Sequence, residues 1–98
     1  MIHIVTYDIS ETAIRNRIID ACRNRGLVRV QRSVFMGDLA PRKKEQLETV
    51  LAGIMSSADQ STDSILIVPV CERCIGERRV LGHPLDATLF DETPVRFL

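Results

Sequence analysis

Asp8 closes a run of β-forming residues that reads IVTYDIS over positions 4–10. A carboxylate at the end of a buried strand is costly unless something pairs with it, and two kinds of chemistry would explain it. As a helix-start carboxylate, it would be favoured by the free backbone N–H groups and the dipole of the helix that follows. As a ligand for a hard cation, it would suit magnesium, which takes one or two carboxylates together with water and phosphate oxygens. One Asp per chain is too little for a durable ion site. A two-fold axis passing close to this strand end would bring two copies of Asp8 together, and that pair would need a cation or a shared proton to relieve its repulsion. The chain has no other carboxylate embedded in a strand end, so the symmetric Asp8 pair is the one good metal site that can be built near its basic half.

That basic half is hidden by a formal net charge of zero. Residues 1–45 carry nine basic side chains against five acidic ones, a balance of +4, and residues 46–98 carry four against eight, a balance of −4. Seven of the nine are arginines (Arg15, Arg17, Arg23, Arg25, Arg29, Arg32 and Arg42), whose rigid guanidinium fork suits phosphate oxygens. A solvated helix face is the plainer reading of the same charges.

Other constellations are weaker. CERC, positions 71–74, has the spacing of half a zinc site or of a redox pair. Zinc would need two further ligands, with only His83 and the weaker Asp86 downstream. A redox CxxC should open a helix after the first strand of its unit, whereas this one follows the last strand, so ordinary turn cysteines are the simpler reading. His3 alternates with its neighbours on a strand and reads as a core or interface histidine. No glycine-rich phosphate loop, GxSxG elbow or HExxH helix is present, and neither Ser10 nor Ser33 has a histidine placed to activate it. Any chemistry here must be metal-assisted.

The elements that must hold these residues follow from hydrophobic period. Residues 2–9 read as a strand of the kind buried on both faces in the middle of a sheet. Ser10 can cap the next helix, on which Ile14, Ile18 and Cys22, with Ala21 beside them, form one apolar stripe that ends at Gly26. At 100° per residue, Arg15 and Arg17 fall on opposite flanks of that stripe. Residues 27–39 are β-rich but broken at Gln31, Arg32 and Ser33, which predicts two short strands joined tightly. Pro41 suits the first turn of a second helix, whose period runs from Leu47 through Ala58. A polar loop leads to a strand over residues 64–70, with Pro69 placing that end at an edge or beyond the ladder. The order β, α, β, β, α, β is the ferredoxin-like split arrangement of the α+β class. Residues 71–98 are less regular, with short strands expected at 79–81 and 95–98.

Ninety-eight residues make a single domain, 1–98, too short to bury both faces of a sheet generously without a partner. A homodimer is therefore expected, and residues 83–98 form a tail that could add a strand to the partner's sheet edge. An apolar fraction of 45% describes an ordinary globular chain, and no apolar run approaches the roughly eighteen residues of a membrane span. The strand-like N-terminus without a basic leader and the odd number of cysteines, three, fit the cytoplasm.

YDIS at 7–10, the arginine-bearing first helix and above all VQRSVFMGDL at 30–39, after a glycine-ended helix, resemble the Cas-two family, the small CRISPR-associated proteins of spacer acquisition. The likeness runs from Met1 to about Gly82, and VCERC followed by VLG fits it as well. The resemblance implies a ferredoxin-like protomer, a two-fold dimer strengthened by C-terminal strand exchange, and a magnesium-dependent endonuclease acting on single-stranded RNA or duplex DNA. It implies that Asp8 is the catalytic, metal-binding aspartate, with one magnesium shared between the two copies in the dimer. Tyr7, Arg15, Arg17, Arg29 and Phe35 stand where family members carry residues implicated in activity or nucleic-acid contact, and Arg32 could take the part of Arg29. Tyr7 and Phe35 could stack a base or pack the interface. Nothing is carried over to residues 84–98.

A second reading from the same resemblance is a non-catalytic scaffold that lays duplex DNA across its arginines and bridges dimers of the integrase, Cas-one. It needs no metal and predicts binding with steep salt dependence. A third, a regulatory domain for a small ligand, would have no reason to concentrate arginine in one half.

Overall fold

The computed structural model describes residues 1–82. Its elements are β1 (Ile2–Asp8), α1 (Thr12–Arg23), β2 (Val28–Gln31), β3 (Val34–Asp38), α2 (Pro41–Met55), β4 (Ser64–Val70) and a short α3 (Glu72–Gly76). The four strands form one antiparallel sheet in the order β2-β3-β1-β4, the ferredoxin-like arrangement expected from the sequence. Pro69 lies on β4, an edge strand, where a missing N–H leaves no inner ladder position open.

Alternation along β1 divides the molecule. Val5 and Tyr7 point to the helices and join Phe35, Ile14, Ile18, Cys22, Leu47, Leu51 and Ile54 in the main core. The helix stripes expected from the sequence are the ones buried. Residues of the opposite parity, Ile2 and Ile4, face away and meet Met36, Val30, Val70 and Ile75 of α3 in a second, smaller cluster. That cluster covers one end of the sheet only. Farther along β4, Leu66 is 58% exposed and Val68 36%. The central strand is thus buried fully on one face and partly on the other.

Two glycines set the path between α1 and β3. Gly26 has a φ of 81°, and beyond it the chain turns back so that the Leu27 amide donates to the Cys22 carbonyl at 3.2 Å. Gly37 passes close under Leu27, where an added Cβ would lie 2.6 Å from Leu27 Cδ2.

Three expectations need correction. Ser10 does not cap α1; Glu11 occupies the N-cap without a side-chain hydrogen bond, because Ser10 is engaged by Asp63. The regular part of α2 ends at Met55 and not at Ala58, and the last residues curl into a turn in which the Ser57 and Ala58 amides reach back to Ile54 and Met55. Residues 79–81 form no strand, and the regular structure they follow is helix α3, which begins directly after β4. The strand expected at 95–98 and the exchanged tail lie outside the described residues.

Candidate functional site

Asp8 is the last residue of β1, paired in register with Ser64. By alternation its carboxylate belongs to the same face of the sheet as Ile2, Ile4 and Thr6, the face that the helices leave uncovered. It is exposed, and among the described residues it has no ion pair or side-chain hydrogen bond. The helix-start reading fails on distance along the chain, since α1 begins only at Thr12 behind its own N-cap, Glu11.

Around this strand end lies a cleft of about 390 Å³ lined by Tyr7, Asp8, Arg15, Asn16, Arg29, Arg32 and their neighbours Ile9, Ile19 and Ser33. Three elements meet there: the end of β1, the first turn of α1, and the β2–β3 turn. The turn is pinned at a single atom. The Arg32 carbonyl oxygen accepts from the Tyr7 hydroxyl at 3.3 Å and from Arg29 Nε and Nη2 at 3.0 and 2.6 Å. The Tyr7 amide adds a bond to the Ser33 carbonyl at 3.2 Å. On the other wall, Arg15 Nη2 donates to the carbonyls of Ile9 and Ser10 at 3.3 and 3.4 Å. The guanidinium groups of Arg15 and Arg29 are therefore held by neutral carbonyls, and neither pairs with a carboxylate among the described residues. A phosphate oxygen would make a stronger, charge-assisted bond with either.

Five of the seven residues singled out in the sequence thus converge: Tyr7, Asp8, Arg15, Arg29 and Arg32. Two do not. Arg17 faces a different hollow, between α1 and α2, beside Asp20 and Arg25. Its separation from Arg15 follows from the two lying on opposite flanks of the apolar stripe. Phe35 is 0% exposed, so it has no ring face to offer a base. It supports the cleft from below, its ring 6.4 Å from that of Tyr7 at an interplanar angle of 28°. Tyr7 itself is buried, and its hydroxyl donates to the Arg32 carbonyl, which suits it to fixing the β2–β3 turn more than to meeting solvent.

Asp63 was not visible from the sequence, where it sits in a polar loop with no periodic signal. It is buried and accepts from the Ser10 amide and hydroxyl, both at 3.0 Å, and from the Thr62 hydroxyl at 3.2 Å. Burial pushes its carboxyl up, but the Ser10 and Thr62 donors outweigh that and hold it below the usual aspartate range. This latch ties the loop leaving Asp8 to the loop entering β4. His3 is a core histidine, buried with Nδ1 2.8 Å from the Met1 carbonyl oxygen. Cys71 and Cys74 are not turn cysteines as expected: Cys71 is the N-cap of α3 and Cys74 lies in its first turn.

No group of three or more His, Cys, Asp or Glu side chains comes together among the described residues, so one chain offers a hard cation only the Asp8 carboxylate at this cleft. No described helix is long and apolar enough to cross a membrane.

Residues 1–78 match the family model described as CRISPR associated protein Cas2. The CRISPR-associated endoribonuclease Cas2 1 of Archaeoglobus fulgidus is 38% identical over 83 residues, 85% of either chain. The crystal structure of Streptococcus pyogenes Cas2 at pH 6.5 superposes with a TM-score of 0.65 at 28% identity, covering 84% of this chain and 100% of that one. A CRISPR-associated endonuclease Cas1/endonuclease Cas2 fusion from Thermoproteus tenax is 39% identical over 56 residues, 57% of this chain and 21% of the fusion. A match to four-fifths of the sequence, shared with relatives that carry the same arrangement of strands and helices, makes this chain a member of the Cas2 family of CRISPR-associated proteins.

Proposed function

We propose that the chain serves CRISPR spacer acquisition as a magnesium-dependent endonuclease whose site is completed by a second copy of itself. The observation that carries this is the exposed, unpartnered Asp8 carboxylate at the lip of an arginine-lined cleft and on the uncovered apolar face of the sheet. Closing two such faces around a two-fold axis would bury Leu66 and Val68 and bring the two Asp8 side chains toward each other. Two carboxylates, with water and a phosphate oxygen, are a donor set that fits magnesium. When bound, the ion supplies an acidified water and offsets phosphate charge.

The remaining work falls to the chain's own groups. Arg15 and Arg29 exchange their carbonyl partners for phosphate oxygens, orient the phosphodiester and balance charge that builds on it. Arg32 lies exposed beside them for an adjoining phosphate. Tyr7 is a positioning residue, holding the turn through the Arg32 carbonyl. Single-stranded RNA is the first substrate to try, since several relatives are named endoribonucleases, with duplex DNA as the alternative.

The Thermoproteus fusion favours a second role that can coexist with the first, docking to the Cas1 integrase with DNA laid across the arginines. Arg17, outside the cleft, belongs to that reading.

Cleavage of end-labelled RNA and duplex DNA by wild type and Asp8→Ala, with magnesium or chelator, separates the two. Cleavage requiring both the ion and Asp8 supports the nuclease. Cleavage that is absent or indifferent to Asp8, with duplex binding intact, leaves the scaffold alone.

A further inference from the structure

Cys71 and Cys74 take no part in the cleft at the end of β1. They lie where β4 gives way to α3, both exposed and both free thiols. Cys71 is extended, with φ −72° and ψ 161°, and the chain then turns into helix, so that the Ile75 amide donates to the Cys71 carbonyl at 3.1 Å. Cys71 at the N-cap and Cys74 three residues on, in the first turn of α3, stand in the relation that puts both side chains at the same end of the helix. The two thiols are unequal. Hydrogen bonds from Cys74 hold Cys71 below the ordinary thiol range, while donating to Cys71 and facing its charge raises Cys74. A hollow of about 480 Å³ opens beside Cys71, with Asp38, Glu72 and Arg73 also at its wall.

We propose that Cys71 and Cys74 form a thiol–disulfide exchange site whose substrate is a low-molecular-weight disulfide of the glutathione type. The Cys71 thiolate attacks one sulfur of that disulfide, giving a mixed disulfide and releasing the first small thiolate. Cys74 then gives up its proton and attacks the Cys71 sulfur, so that a Cys71–Cys74 bond forms and the second small thiol leaves. Two electrons pass from the cysteine pair to the small disulfide, and the released thiolates take up the protons. The bond closes the first turn of α3, the element that lays Ile75 over Ile2 and Met36 on the uncovered face of the sheet. Being exposed, it is open to reduction by a dithiol.

Cys22 is a built-in control. It is fully buried in the core, and burial pushes its thiol up to about 11, so it stays out of the exchange. The test exposes the full chain to oxidised glutathione, then unfolds it and alkylates all remaining thiols for mass spectrometry. Alkylated cysteines should fall from three to one, Cys22, without disulfide-linked chains, and dithiothreitol should restore all three. Cys74→Ser should retain one glutathione on Cys71, and Cys71→Ser should take up glutathione more slowly than Cys74→Ser does. Three alkylated cysteines after exposure, a bond between chains or modification of Cys22 would overturn the proposal, as would Cys71→Ser reacting as fast as Cys74→Ser.

Discussion

Leu66→Asp tests whether the uncovered sheet face is the surface on which two chains meet. Leu66 is 58% exposed on an edge strand, so a single chain loses little packing when it is replaced; the change should cost the monomer no more than about 1 kcal/mol, mainly in strand preference. In a two-fold dimer the same position counts twice. Burying the remaining exposed part of a leucine is worth roughly 1–2 kcal/mol per chain, and forcing an unpaired carboxylate into the same place adds about 1 kcal/mol or more. The dimer should therefore weaken by about 4–6 kcal/mol, a rise in dissociation constant of roughly 10³- to 10⁴-fold. Leu66→Ala should give a smaller loss, with no charge to desolvate. Sedimentation velocity over a dilution series reads the association, and circular dichroism with thermal unfolding of the dilute monomer reads the fold. A Leu66→Asp chain that stays dimeric at wild-type concentrations would place the two-fold contact elsewhere. One that fails to fold as a monomer would show the face to be part of the protomer's own core.

Four further outcomes follow from individual contacts. Arg15→Ala and Arg29→Ala should each lower the slope of log affinity against log salt by about 1 for nucleic-acid binding, because each removes one phosphate contact, whereas Lys44→Ala, whose ammonium lies 3.4 Å from Glu48, should change it little. Asp63, with a folded carboxyl held below its ordinary value, adds stability that is complete above the unfolded pKa of about 3.9 and is lost as pH falls through the lower folded value. Asp63→Asn should therefore lower the melting temperature at neutral pH and flatten the acid limb of the stability profile; an unchanged acid limb would contradict the Ser10 latch. Gly37→Ala should destabilise by about 1–3 kcal/mol in urea unfolding, since its methyl group meets Leu27, and Leu27→Ala should recover part of that loss in the double variant. Tyr7→Phe should leave the fold intact and reduce cleavage by releasing one of the bonds on the Arg32 carbonyl, an effect that equal rates for the two proteins would rule out.

How much of this could be read beforehand depended on the period of each signal. The alternation in β1 and the stripe of Ile14, Ile18 and Cys22 are repeated signals, and they located the sheet and the first helix to within a residue or two. The break at Gln31 to Ser33 located the β2–β3 turn, which supplies Arg32 to the cleft. The flank argument already separated Arg15 from Arg17, although it could not say which one faces the strand end. Phe35 was open to misreading because both packing and stacking use the same aromatic ring. Its pairing opposite Val5 decides the matter, since a residue sharing that face of the sheet is covered by the helices. Two features were beyond reach for physical reasons. The Ser10–Asp63 latch joins groups 53 positions apart in polar loops, where no period operates. Helix α3 has five residues, too few to show one, so the cysteine pair at its start resembled a turn.

The central claim is that two Asp8 carboxylates from two chains make one site. Mixing wild-type and Asp8→Ala chains in equal amounts and allowing random subunit exchange tests it directly, with magnesium-dependent cleavage as the readout. If both copies are required, only wild-type pairs are active, and the rate should fall to about a quarter of that of undiluted wild type. A rate of about one half would mean that each chain carries a complete site, and an unchanged rate would remove Asp8 from the chemistry altogether.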